Sequence, residues 1–499
     1  MNTTQVPDAR SYLQTRRGIW SWLLTTDHKR IAILYLASIT IFFVLGAATT
    51  SLLGIEALQP EGDAMSPENF DRMFTLHGLC MVFFFLLPVL TGVLGNFLVP
   101  LRIGASNLAF PRLNLATWYL FVAGGLLLLA STLHGAVDAG WSLLLPYSAQ
   151  SSGAELVPAI LGVLLAGVSV GLMGLNMVVT VHRMRAPGMT YWKVPVFVWG
   201  QYACGLLLAL LTPVLVAALA LLLRNELGYA PFVAETSGDS LLFKKLFWTY
   251  ANPALHAPLL AGIGVMTKVL TTISGRVLYD RRRVIIAIMA IALLHLLAAG
   301  QSFAPETRGI YVGNLSSLFA LLVAVPSAAI IVHWAATLQP GSQRFTAPML
   351  YVYTFIGLFT IGSATNLFLA ASPLGSHLQG TAFGVAHLHY FVAGGVITAF
   401  LGGLHFWWPE ITGRLYPEML ARAVAVVVFV GFNLMFLPQF LLGYLGMPSR
   451  MHAYPPDFQV LKVLSSAGAT ILVAGLVLPA LYLPWSFFWG HRSTSHPWE

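Results

Sequence analysis

The sequence predicts an all-α integral membrane protein, a bundle of about twelve transmembrane helices. Two observations carry that expectation. The chain is 57% hydrophobic and only 9% charged, whereas a soluble chain of this size carries about a quarter charged residues. The apolar residues also fall into long runs separated by short polar loops, and roughly 20 such residues cross the hydrocarbon core as a helix.

The runs lie near 31–54, 73–100, 115–136, 156–182, 194–223, 243–272, 284–303, 310–336, 347–371, 381–407, 419–446 and 459–486. The loop around Pro305-Glu306-Thr307-Arg308 is the least distinct boundary. Prolines and glycines within the spans are tolerable where neighbouring helices re-satisfy the freed backbone groups. No loop is long enough for a second domain and no internal repeat appears. The expected organisation is an N-terminal segment 1–30, a membrane domain 31–486 and a C-terminal tail 487–499.

Twelve crossings put both termini on one side. Most of the 26 Lys and Arg residues then share that side, with Arg276 and the run Arg281-Arg282-Arg283 as its strongest marker. The opposite loops collect Glu56, Glu61, Asp63, Glu68, Asp71, Asp138, Glu155, Glu235 and Asp239. By the positive-inside bias the termini are cytoplasmic, in the inner (plasma) membrane of a bacterium. The net charge of +8 is thereby a matter of topology, so lipid rather than nucleic acid is the expected surrounding. No short apolar core with a cleavage site precedes the first span, so no cleaved leader is expected. Cys80 and Cys204 lie inside apolar runs and offer no disulfide or metal-binding spacing.

Histidines inside the spans carry the functional signal. A buried imidazole needs a hydrogen-bond partner or a metal, because an unsatisfied one is costly in hydrocarbon. His77 lies near the outer end of the second span, in Phe74-Thr75-Leu76-His77-Gly78. His387 and His389 lie near the outer end of the tenth, in Ala386-His387-Leu388-His389-Tyr390. Both spans run inward, so the three imidazoles share a depth. Residues two apart on a helix differ by about 200° of rotation, so His387 and His389 cannot chelate one ion. Each can serve a different cofactor, and imidazole is the usual axial ligand of haem iron.

At these residues the sequence resembles subunit I, the catalytic subunit of the haem-copper oxidases, on the cytochrome c oxidase side, over nearly its whole length. Thr26-Asp27-His28-Lys29-Arg30 opens the first helix as in that family. Gly95-Asn96-Phe97-Leu98-Val99-Pro100-Leu101, Ile103-Gly104-Ala105 and Ala109-Phe110-Pro111-Arg112-Leu113-Asn114 resemble its second helix and following loop. Val385-Ala386-His387-Leu388-His389-Tyr390 resembles its tenth-helix haem motif. Leu437-Pro438-Gln439 and Gly446-Met447-Pro448-Ser449-Arg450 resemble its eleventh-helix segment. The resemblance implies two haems, of type a, b or o. His77 and His389 would be axial ligands of a low-spin haem, His387 the axial ligand of the second, and Arg450 a propionate partner, with Ser449 in place of a second Arg. It also implies a subunit II-like partner, other membrane subunits and cytochrome c or another electron donor.

The chain departs from the family pattern at the oxygen site. Where the family has His-Pro-Glu-Val-Tyr, this sequence reads Asn252-Pro253-Ala254-Leu255-His256. Where the family has two adjacent histidines on the seventh helix, it reads Gly300-Gln301-Ser302-Phe303. The expectation is therefore no copper. Asn107 and Ile330 replace the proton-channel acid and lysine, Gln379 and Gly380 replace a magnesium-binding pair, and no Arg lies between positions 31 and 71.

Asn252, His256 and Gln301 are the candidate catalytic residues at the altered site, with His295 at a depth comparable to His256. The two histidines could bind a metal or a haem ligand, or be hydrogen-bonded core residues. His333, His405, His491 and His496 read as interfacial. Three functions stay open. One is electron transfer by a di-haem subunit without copper-dependent oxygen reduction or proton pumping. Another is reduction of a small gas, nitric oxide or dioxygen, at a copper-free haem. The last is a haem-bearing structural subunit.

Overall fold

A computed structural model describes residues 12, 18–133, 140–143, 156–229, 238–300, 309–338, 344–493 and 497–498. Among them, 12 helices are long and apolar enough to cross a membrane. They are α1 His28–Glu56, α2 Pro67–Ile103, α3 Pro111–Leu133, α4 Leu156–Arg183, α5 Val196–Glu226, α6 Gly238–Ser274, α7 Arg281–Gly300, α8 Ser317–Thr337, α9 Ala347–Ala370, α10 Ala382–Thr412, α11 Glu418–Tyr444 and α12 Pro456–Trp489. The protein is an all-α, multi-pass membrane bundle. The span near 310–336 is two helical pieces, Gly309–Leu322 and Ala324–Thr337, meeting at Val323. The Pro305–Arg308 boundary lies outside the described residues.

The helix ends follow local chemistry. The Asp27 carboxylate caps α1 by accepting from the Lys29 N–H at 2.9 Å. Ser66 caps α2 ahead of Pro67, which occupies a position whose N–H would be unpaired anyway. At the other end of α2, Gly104 turns left-handed (φ 74°) to close the helix, a conformation that costs glycine little.

Neighbours in sequence pack as neighbours in space (α3 on α4, α4 on α5, α5 on α6, α9 on α10, α11 on α12), and α12 returns to α1. In lipid, close backbone approach replaces the hydrophobic drive. A Cβ on Gly124 of α3 would stand 2.6 Å from the Gly162 carbonyl of α4, and one on Gly162 the same distance from the Gly124 carbonyl.

Three helices form the interior. In its most apolar stretch α2 is 89% buried, α6 83% and α10 72%, α4 is intermediate at 61%, and the other eight lie between 33% and 44%. Those three carry His77, His256 and the His387/His389 pair. At the face away from the termini, the loop entering α10 pairs with the loop leaving α11. Ala382 N–H donates to the Met447 carbonyl (3.0 Å) and Ser449 N–H to the Gly380 carbonyl (2.8 Å). This clasp sets Arg450 above the histidine-bearing ends of α2 and α10.

Candidate functional site

His77 on α2 has Nδ1 at 3.0 Å from the Gly46 carbonyl and 2.9 Å from the Thr50 hydroxyl, both on α1. A carbonyl only accepts, so Nδ1 carries the hydrogen and Nε2 the lone pair. His389 repeats the arrangement within α10, its Nδ1 donating to the Val385 carbonyl at 2.8 Å. His387 has Nδ1 at 3.0 Å from the Thr365 hydroxyl of α9. That hydroxyl donates its own hydrogen to the Ile361 or Gly362 carbonyl, at 3.0 and 3.1 Å, so it accepts from His387. All three Nε2 atoms thus present lone pairs, and none has a hydrogen-bond partner among the described residues. Metal-ligating imidazoles are oriented in this way, the second nitrogen fixing tautomer and direction.

The His-x-His spacing sends its rings to different neighbours. His389 stacks on Phe436 of α11 (4.2 Å, 20°) and lies within electrostatic reach of His77. His387 runs parallel to Phe391 (5.8 Å, 15°) and toward α9. A π-helical turn, His389–Ala393, begins at the second histidine. Two more, Val82–Leu86 and Val89–Gly95, follow His77. Wide turns of this kind cluster at functional sites.

Each of the three imidazoles is surrounded by protein yet keeps part of its surface uncovered. Lone-pair nitrogens from two core helices are the donor set that iron of a macrocycle takes. The residues present therefore fit haem.

On α6, Asn252 is exposed within an otherwise buried stretch. His256 donates from Nδ1 to the Asn252 carbonyl at 2.6 Å. Its ring stacks on His295 of α7 (4.0 Å, 21°), lies 5.5 Å from Phe391 and is within electrostatic reach of His387. His295 Nε2 is buried without a partner. Ala254 is buried among Val82, Phe83, Leu87, Trp141 and Tyr250, whose hydroxyl is buried without a hydrogen-bond partner. Gln301, the remaining candidate of this site, lies outside the described residues.

Arg450 sits over α2, its Nε donating to Asp71 Oδ1 at 2.8 Å and its guanidinium 5.5 Å from the Phe74 ring. Its backbone is left-handed (φ 58°). The carboxylate of Asp71 is a partner the sequence reading did not foresee. Thr50, Thr365 and Phe436 were missed as well, because an isolated Thr or Phe in an apolar span carries no pattern.

Of the histidines read as interfacial, His405 is fully buried, donating from Nδ1 to the Leu401 carbonyl (2.6 Å) and accepting at Nε2 from the Tyr482 hydroxyl (2.5 Å). His333 is also buried, with Nδ1 bonded to the Ala329 carbonyl at 2.5 Å. Depth along a span does not specify which way a helix face turns, and both faces turn inward. His491 is exposed, and His496 is outside the described residues.

Comparison with known proteins places this geometry. The family "Cytochrome C and Quinol oxidase polypeptide I" matches residues 30–471. Cytochrome c oxidase subunit 1 of Bacillus subtilis is 32% identical over 485 residues, covering 96% of this chain and 78% of the relative. The same subunit of Synechocystis is 35% identical over 477 residues, covering 95% and 86%. A solved heme-copper terminal oxidase dimer aligns with a TM-score of 0.76 at 18% identity, over 94% of this chain and 86% of that one, a likeness of fold alone. The chain belongs to the cytochrome c and quinol oxidase polypeptide I family, subunit I of the haem-copper oxidases.

Proposed function

We propose that this chain is a di-haem redox subunit that carries electrons within a membrane complex. The observation that carries this reading is the shared tautomer of His77, His389 and His387, each with Nδ1 held and Nε2 bare. His77 of α2 and His389 of α10 would hold one haem. His387 would hold the second from one side, and Arg450 would meet a propionate from its place beside Asp71. Haem bound at these nitrogens supplies one-electron chemistry. The protein's part is to fix the imidazoles and exclude water.

On this reading copper-dependent oxygen reduction and proton pumping are absent. Asn252 supplies no imidazole, and Ala254 no carboxylate. Ile330 is buried and cannot titrate, and Asn107 donates its side-chain amide to the Thr26 carbonyl at 2.9 Å. The partners would be a subunit II-like protein, other membrane subunits and cytochrome c or a comparable donor. The setting would be a bacterial inner membrane with segments 1–30 and 487–499 cytoplasmic.

The test is an inventory of the purified complex: haem per chain, spin state and copper per chain. Two haems, one low-spin, with no copper support the reading. Stoichiometric copper with oxygen turnover at oxidase-like rates would end it, and absence of haem would favour a structural subunit.

A second reading follows from the polar groups near His387. Asn252 and His256 stand on α6, which packs against α10, and His295 of α7 stacks on His256, as a site for a small gas such as nitric oxide or dioxygen would require. Carbon monoxide should then alter the spectrum of the reduced protein. An unaltered spectrum leaves electron transfer alone.

A further inference from the structure

An open groove of about 700 Å³ lies at the entry to α1. Along that helix it is about 27 Å from Gly46, the residue that holds His77. Its walls include Thr26 ahead of α1, Phe110 in the α2–α3 loop, Pro111, Arg112 and Leu113 in the first turn of α3, and Leu175 of α4. Hydrogen bonds of the chain itself fix these walls. The Asn176 side chain clamps Phe110, accepting from its N–H at 3.0 Å and donating to its carbonyl at 3.1 Å. Thr180 accepts from the Ala109 N–H at 2.9 Å, and Asn107 donates to the Thr26 carbonyl at 2.9 Å. The groove is thus preformed, and its size suits a small-molecule guest.

The groove is polar at one end and apolar at the other. Arg112 is exposed and has no ion pair among the described residues. The Asp27 carboxylate beside Thr26 instead caps α1 through the Lys29 N–H. Phe110 and Leu175 are 44% and 43% exposed. Leu175 lies eight residues before the end of α4, about 12 Å deeper into the span. Aromatic residues mark the level of the polar end. Trp20 is 71% exposed on the short helix Ile19–Leu23, and Tyr119 of α3 donates its hydroxyl to the Leu23 carbonyl. Trp and Tyr gather where headgroups meet water.

We propose that this groove seats one anionic phospholipid from the leaflet on the side of the termini. Its phosphate meets Arg112, and an acyl chain runs along Phe110, Leu113 and Leu175. Charge complementarity selects the headgroup, because a guanidinium without a carboxylate pairs with phosphate through two N–H groups. A zwitterionic headgroup brings its own cation, which repels that of Arg112. A soluble anion would leave the apolar walls in contact with water. The seated lipid ties the entry of α1, the α2–α3 loop and α4 together at one leaflet.

The experiment places the purified complex in bilayer discs with a photoreactive acyl-chain probe, either phosphatidylglycerol or phosphatidylcholine, and maps the label by peptide mass spectrometry. The phosphatidylglycerol probe should label residues 109–113 and Leu175, and the phosphatidylcholine probe should label them less. Arg112→Gln should lower the phosphatidylglycerol label about fivefold, since one cation near a membrane surface contributes about 1 kcal/mol. Leu175→Trp, which fills the apolar end, should lower the label from either probe. Arg282→Gln, which removes an exposed cation outside the groove, should leave it unchanged. A wild-type thermal midpoint in each variant reports that the bundle is intact. Equal labelling by the two probes, or undiminished labelling in Arg112→Gln, overturns the anionic headgroup. No label at these residues from either probe overturns the lipid seat and leaves the groove to a partner subunit.

Discussion

Thr365 and His387 meet across the α9–α10 boundary, hydroxyl to Nδ1 at 3.0 Å. The contact sets the tautomer of His387, because the Thr365 hydrogen is already given to its own helix at the Ile361 or Gly362 carbonyl. Thr365→Val removes the acceptor and keeps the shape. Loss of such an orienting partner typically weakens metal binding about 10–100-fold. The second haem should therefore be depleted in Thr365→Val and restored in Thr365→Ser, measured as haem per chain after dilution. Equal haem content in both variants would sink the assignment of His387.

The bis-imidazole assignment separates the two haems by mutation. His77→Ala and His389→Ala should each abolish the low-spin spectrum. His387→Ala should remove only the carbon monoxide-sensitive component and leave the low-spin one. Paramagnetic resonance of the oxidised protein distinguishes them. A low-spin signal surviving in both His77→Ala and His389→Ala would refute the pairing.

Away from the haem region, Tyr482 donates to His405 in a fully buried hydrogen bond between α12 and α10. Tyr482→Phe strands the His405 lone pair, at a cost of about 1–3 kcal/mol. The thermal midpoint in detergent should fall while both haem spectra stay unchanged. A midpoint equal to wild type would mean that water replaces the hydroxyl at little cost.

Close helix approach can be tested against an internal control. On Gly124 a Cβ would lie 2.6 Å from the Gly162 carbonyl and 3.2 Å from the Ala166 backbone nitrogen, whereas at Gly357 on α9 nothing lies within 4 Å. Gly124→Ala forces two backbones apart and should destabilise by about 1–3 kcal/mol. Gly357→Ala should be neutral or stabilise by up to about 1 kcal/mol through helix propensity. Equal effects would show that α3 and α4 do not need their close contact.

The sequence by itself determined the membrane bundle and its twelve spans. Those properties follow from the length of apolar runs and the fixed rise per residue, which are local quantities. The tertiary structure decided what each imidazole does with its second nitrogen. The Gly46 and Thr365 contacts come from other helices, so no spacing along one span announces them. It also decided which histidines turn inward. His405 and His333 lie where a span meets the interface, but their faces point into neighbouring helices, and a chain apolar all round gives no periodicity from which to read that direction. The stack of His256 on His295 has the same origin, since it exists only where α6 packs against α7.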